Sequence, residues 1–153
     1  MSSIREDLLT QAGHTLPNLP EPGGNYLSAK TIGKVVYLAG VISINESGII
    51  TGRAGENASV EDGYTAAQRC ALTQLAVLRR HLGSLDLIRS IISVNGYVSA
   101  VPGFADSPSI INGASDLLVA VFGEAGRHVR AAIGVSSLPR NALVEIQMAV
   151  EIE

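Results

Sequence analysis

The residues of this 153-residue chain best placed to do chemistry are Arg130 and Glu145. They lie in the C-terminal stretch V-R-A-A-I-G-V-S-S-L-P-R-N-A-L-V-E-I-Q-M-A-V-E, from Val129 to Glu151, where two alternating apolar and polar runs flank a proline turn. Alternation at period two marks strands. Read as an antiparallel hairpin turning near Ser137 to Arg140, the two strands place Arg130 opposite Glu145 or Gln147, and opposed residues share a face. A guanidinium suits bidentate binding of a carboxylate. A nearby glutamate can take or give a proton. Together they could bind and process a small acidic metabolite, above a floor of the small residues Ala132, Gly134 and Ser136. The competing reading is an ordinary cross-strand ion pair on a solvated sheet face.

The elements that must position this pair read as follows. Residues 1–13 form a short helix, with Ser3 and Glu6 in capping-box spacing, and a Pro- and Gly-rich connector runs from Leu16 to Gly24. Residues 1–24 are thus an extension and linker, and residues 25–153 the domain. Strands are predicted over Tyr26–Ala29 and Lys34–Ile42, with a third near Ile49 to Thr51 completing a meander. The second is apolar on both parities, so it is central, and Gly40 inside it marks a bulge or the close approach of another group. Ser59 and Asp62 cap a long helix whose apolar residues, Tyr64 to Leu82, recur at three and four before Gly83. Leu87–Val98 is a strand, Ser107-Pro108 opens a second helix ending at Gly123, and the two terminal strands follow. The order β-β-β-α-β-α-β-β is an α+β architecture, one mixed sheet covered on one face by both helices. The other sheet face must be hidden, and further subunits are the candidates.

Composition narrows the function classes. The net charge is −3, and the densest basic cluster is the pair Arg79 and Arg80, so no stripe exists to capture nucleic acid. Hydrophobic residues make up 46% but charged residues only 16%, which describes an aliphatic core with apolar surface to spare for a subunit contact. There is no leader and no long apolar run, so a cytoplasmic protein without a membrane span is expected. The lone Cys70 falls in an apolar helical pattern and reads as a small core residue. His14, His81 and His128 lack metal-ligand spacing, and no metal site is expected. His128 shares the parity of Arg130 and reads either as a site residue or as a polar edge residue. Tyr26 divides between strand packing and a functional role.

The segment V-R-A-A-I-G-V-S-S-L-P-R-N-A-L-V-E-I resembles the C-terminal signature of the RidA/YjgF/UK114 family, whose members are also labelled endoribonuclease L-PSP. Asn25-Tyr26, the strand Leu38-Ala39-Gly40-Val41-Ile42 and Asn112 fall where that family has its other motifs, and the likeness runs from about Tyr26 to the C-terminus. It implies a chorismate-mutase-like fold and a homotrimer with clefts between subunits, each taking a small carboxylate-bearing metabolite. It also implies hydrolytic deamination of enamine or imine intermediates of the 2-aminoacrylate type, without a cofactor. By motif, Arg130 would bind the substrate carboxylate and Glu145 orient the attacking water, with Tyr26 and Asn112 lining the cleft. Ala132 stands where the family has a cysteine, Ala39 where it has a serine, and Asn25 where it has a proline, which marks a divergent branch. Two other functions remain open: a trimeric keto-acid binder without turnover, and an endoribonuclease, against which the acidic composition speaks.

Overall fold

The computed structural model describes residues 3–19, 22 and 24–153. The expected connector includes Pro20, Glu21 and Gly23, which lie outside the described residues, as do Met1 and Ser2 at the head of the expected first helix.

Helix α1, Ile4–Gln11, is capped by Ser3, whose hydroxyl accepts from the Glu6 amide. The helix lies on the domain, with Leu9 in the core, the Asp86 carboxylate accepting from the Ile4 and Arg5 amides, and the Arg5 guanidinium 4.7 Å from the centre of the Phe122 ring. Leu16 and Leu19 continue this packing along the connector. The strands β1, Ala29–Ile32, and β2, Val35–Leu38, form a hairpin, and β3, Val41–Ile42, follows at once. Tyr26 therefore precedes β1 instead of opening it. The expected third strand of the meander is replaced by a small separate hairpin, β4 (Ile44–Asn45) with β5 (Gly48–Ile49).

Helix α2, Val60–Leu82, carries the full reciprocal capping box between Ser59 and Asp62, and Gly83 ends it in the left-handed conformation. The remaining elements are β6 (Ile88–Ser99), α3 (Ser107–Phe122), β7 (Val129–Val135) and β8 (Val144–Ile152). The main sheet has the order β1-β2-β8-β6-β7, with β3 also paired to β8. Because β6 and β7 are parallel and the other pairs antiparallel, the sheet is mixed, as expected.

Both α2 and α3 cover one face of this sheet. Ile146, Met148 and Val150 of β8 and Ile91, Val94 and Val98 of β6 are buried beneath them. Gly63 leaves room for Ile110 where the helices meet, and Gly113 admits the backbone carbonyl of Tyr64 at the same crossing. Gly96 receives Ile111 on the sheet below. These contacts set how α3 lies over β6 and β7. The opposite face of the sheet is uncovered in the single chain and carries exposed Ile32, Tyr37, Val129 and Ile133. Among the described residues, no helix is long and apolar enough to cross a membrane.

Candidate functional site

The hairpin expected from Arg130 and Glu145 does not form. Strand β6 lies between β7 and β8, pairing parallel with the first and antiparallel with the second. Val94 is paired to both Arg130 and Met148, so Arg130 shares the helix-covered face. Tyr97 is paired to Glu145, which puts the glutamate on the opposite, open face. The physical reason is topological. The chain reaches β7 through α3, which makes β7 parallel to β6, and then recrosses β6 to start β8. Parity along each strand was read correctly, but it does not transmit through an inserted strand.

On its own face, Arg130 is held at the sheet edge by α3. One terminal nitrogen donates to the Ser115 hydroxyl at 3.0 Å and the other to the Pro108 carbonyl at 3.3 Å. Pro108, Asn112 and Ser115 are spaced four and three apart, so they form one stripe of the helix. Asn112, exposed, stands between the two residues that grip the arginine. Ala132 is half-buried two residues along β7 and packs on the core. Arg130, Asn112 and Ala132 are thus brought together.

Behind Arg130 lies His128. Its Nδ1 is 2.7 Å from the Gly126 carbonyl, which can only accept, so Nδ1 carries the proton. Nε2, 2.9 Å from the Ser115 hydroxyl, is then the acceptor, and Ser115 donates to it while accepting from Arg130. Burial, with the neighbouring Arg130 charge adding to it, holds His128 below the usual imidazole pKa, against the Gly126 hydrogen bond, which favours the protonated form. Arg130 forms no ion pair among the described residues, and three of its five N–H donors have no partner among them.

Glu145 sits on the open face in a pocket of about 470 Å³ lined by Gly40, Tyr97, Leu138, Pro139 and Gln147. Burial raises its carboxyl pKa above the usual value. The close approach predicted at Gly40 is by this carboxylate: a Cβ at Gly40 would stand 2.5 Å from Oε2 of Glu145. The glycine lies in a bulge. Tyr37 pairs with Ala149 and Val41 with Ile146, so Leu38, Ala39 and Gly40 face only Gln147 and Met148. Fully buried Gln74 of α2 closes the defect, its amide donating to the carbonyls of Ala39 and Ile146, both at 2.9 Å. Cys70, one turn earlier, is buried as expected, its thiol reaching the Val144 carbonyl and held far above the ordinary pKa by burial, with the Glu145 charge adding. Tyr26 is exposed ahead of β1, the edge opposite β7.

The chain therefore presents the expected residues in three groups: Arg130 with Asn112 and Ala132, Glu145 with Gly40, and Tyr26 apart. Sequence reading missed Ser115, Tyr97 and Gln74. Ser115 was detectable only as the residue one helical turn after Asn112, and Tyr97 and Gln74 carried no signal beyond a polar or aromatic residue in an apolar run.

Comparison with known proteins bears on what these groups are. The family model "YjgF/chorismate_mutase-like, putative endoribonuclease" matches residues 6–152. Protein TCP17 of Trypanosoma cruzi is 37% identical over 146 residues, covering 94% of this chain and 91% of that protein. A 2-iminobutanoate/2-iminopropanoate deaminase of Dermatophagoides farinae is 29% identical over 139 residues, covering 90% of this chain and 93% of that one. A crystal structure from Agrobacterium tumefaciens superposes with a TM-score of 0.90 at 39% identity, covering 98% of this chain and 94% of the other. On the match of nearly its whole length, with the mixed sheet and its helices in the expected arrangement, the chain belongs to the RidA/YjgF/UK114 family.

Proposed function

We propose that this protein hydrolyses small imino acids, the tautomers of enamines of the 2-aminoacrylate type, to 2-keto acid and ammonium. The observation that carries this reading is Arg130: a guanidinium held by α3 and the histidine behind it, facing outward with no carboxylate partner among the described residues. Such a group binds a substrate carboxylate through paired N–H donors. The 29% identical deaminase supports the reaction class.

The catalytic centre is assembled between subunits of a homotrimer. One chain holds Arg130 and Glu145 on opposite sheet faces, and Tyr26 at the far edge, so a cleft containing all three needs a second copy. The exposed apolar residues of the open face favour such an assembly. In the cleft, Arg130 and Asn112 fix the carboxylate, with the small Ala132 beside them. Water adds to the C=N carbon of the protonated imine as Glu145 takes its proton, giving a neutral carbinolamine. Glu145 returns that proton to nitrogen and the C–N bond breaks. The hydroxyl proton passes by way of Glu145 to the departing ammonia as the C=O forms, leaving keto acid and ammonium. A carboxyl whose pKa is raised by burial suits both the taking and the giving. No step requires a metal or an organic cofactor.

The test is a coupled assay in which a serine or threonine dehydratase generates the imine and keto-acid release is followed. Wild type should accelerate release and Arg130→Ala should not, with the assembly intact by light scattering. Keto acid bound at Arg130 without any acceleration would make the protein a binder instead.

A further inference from the structure

A second polar pocket, of about 530 Å³, opens on the other side of the β7–β8 connection from Glu145. One wall is the loop after β5, carrying Arg53, Glu56 and Asn57, and the other is Ser136, Ser137 and Asn141, with Ser99 from the end of β6 between them. The walls are tied together, the Gly52 amide donating to the Asn141 carbonyl and the Ala54 amide to the Ser99 carbonyl. Arg140 and Asn141 hold the connection in two consecutive left-handed conformations, at φ 57° and 59°. Side chains other than glycine resist that region, so the turn is maintained against local preference, as at binding sites.

Three features leave the interior chemically unfinished. Ser99 is only 6% exposed, yet its hydroxyl makes no hydrogen bond among the described residues and faces the pocket. The Arg53 Nε is buried without a partner. The rest of that guanidinium makes neither an ion pair nor a hydrogen bond among the described residues, even with Glu56 on the same wall. A buried donor left unpaired costs free energy that a fitting acceptor would offset.

We propose that this pocket is a second binding site, specific for a small α-amino acid in its zwitterionic form. Arg53 and the Ser99 and Ser136 hydroxyls meet the carboxylate, and Glu56 meets the ammonium group. A doubly charged oxyanion such as phosphate is disfavoured, because the single arginine is opposed by a carboxylate on the same wall. The site is independent of Arg130, which lies at the other end of β7 on the covered face.

Calorimetric titration of the full chain with L-alanine, acetate and inorganic phosphate tests this. L-alanine should saturate at one per chain, and acetate, lacking the ammonium group, should bind several-fold more weakly. Arg53→Gln should weaken L-alanine about tenfold or more, the loss expected for a charge-assisted hydrogen bond. Ser99→Ala should weaken it several-fold, and Glu56→Gln should abolish the preference for L-alanine over acetate. The L-alanine site should persist with the same affinity in Arg130→Ala, where carboxylate binding at the proposed catalytic cleft is removed. Circular dichroism melts that match wild type show that the variants are folded. Three results would each overturn the proposal: phosphate binding more tightly than L-alanine, binding that survives Arg53→Gln but is lost in Arg130→Ala, or no saturation up to about 20 mM ligand.

Discussion

Glu145 is maintained in a place that does not favour its charge. Its folded-state pKa is raised by burial, so the native chain binds a proton more readily than the unfolded one. Stability from this group is present below the ordinary carboxyl pKa of 4.5 and is lost as pH rises through the folded value. Glu145→Gln should therefore raise Tm at pH 7, with little change at pH 4, while deamination falls by two or more orders of magnitude, as for loss of a general base. A variant that loses activity without gaining Tm at pH 7 would mean that the carboxylate is not strained there. His128 has the opposite sign. Its pKa is depressed, so its contribution is present above the ordinary 6.5 and is lost as pH falls below that value. Protonation turns Nε2 into a donor, deprives the Ser115 hydroxyl of its acceptor and sets two cations side by side. Keto-acid affinity should then drop as pH falls below the ordinary imidazole value in wild type. In Ser115→Ala it should be weakened several-fold at every pH, with a flatter acid limb. An unaltered limb in that variant would show that Arg130 is not positioned through the serine. Of these residues, Arg130 and Glu145 were legible in sequence as chemical types at strand parity. Ser115 was not, because a serine inside a helix declares no partner thirteen or fifteen residues away.

The device that builds the Glu145 pocket belongs to the elements. At the bulge between β2 and β3, the amide of Gln74 reaches across from α2 and donates to the carbonyls of Ala39 and Ile146. Gln74→Met keeps the volume and removes both donors, leaving the Ala39 carbonyl without its donor while Ile146 stays in the β3–β8 ladder. It also removes the Gln74 Oε1, which is buried without a partner. An unpaired buried carbonyl costs about 1–3 kcal/mol. The variant should be less stable in urea by about 1–3 kcal/mol, with the largest loss of amide exchange protection at Ala39 to Val41. Protection there equal to wild type would show that the bulge does not depend on the glutamine. The elements themselves were readable: the Ser59–Asp62 cap, both helix-ending glycines and the apolar periodicity of α2 and α3 are local properties, each within a residue or two of its expected place. Ser107, however, is not the expected N-cap but the first residue of α3, which Asp106 precedes without a side-chain capping bond. The break at Gly40 was visible as a glycine in an apolar strand, but its cause, a carboxylate from β8, was not.

At the scale of the molecule, the open sheet face is where the proposed assembly can be tested. Ile133→Glu places a charge among exposed apolar side chains of β7 and touches neither Arg130 nor Glu145 within the chain. Light scattering should show wild type at three times the 15.9 kDa chain and the variant shifted towards monomer, with deamination lost in parallel. Activity from a stable monomer would refute a cleft shared between subunits. By itself, the sequence determined the helices, the chain order of the main strands and helices from β6 onward, the α2 cap, the aliphatic core and the two ionisable residues worth following. All of these follow from composition and short-range periodicity. Only the tertiary structure decided that β6 separates β7 from β8, that Arg130 and Glu145 face opposite ways, and that Ser115 and His128 stand behind the arginine. Strand order depends on packing between segments tens of residues apart. Alternation along a single strand contains no information about which neighbour it meets.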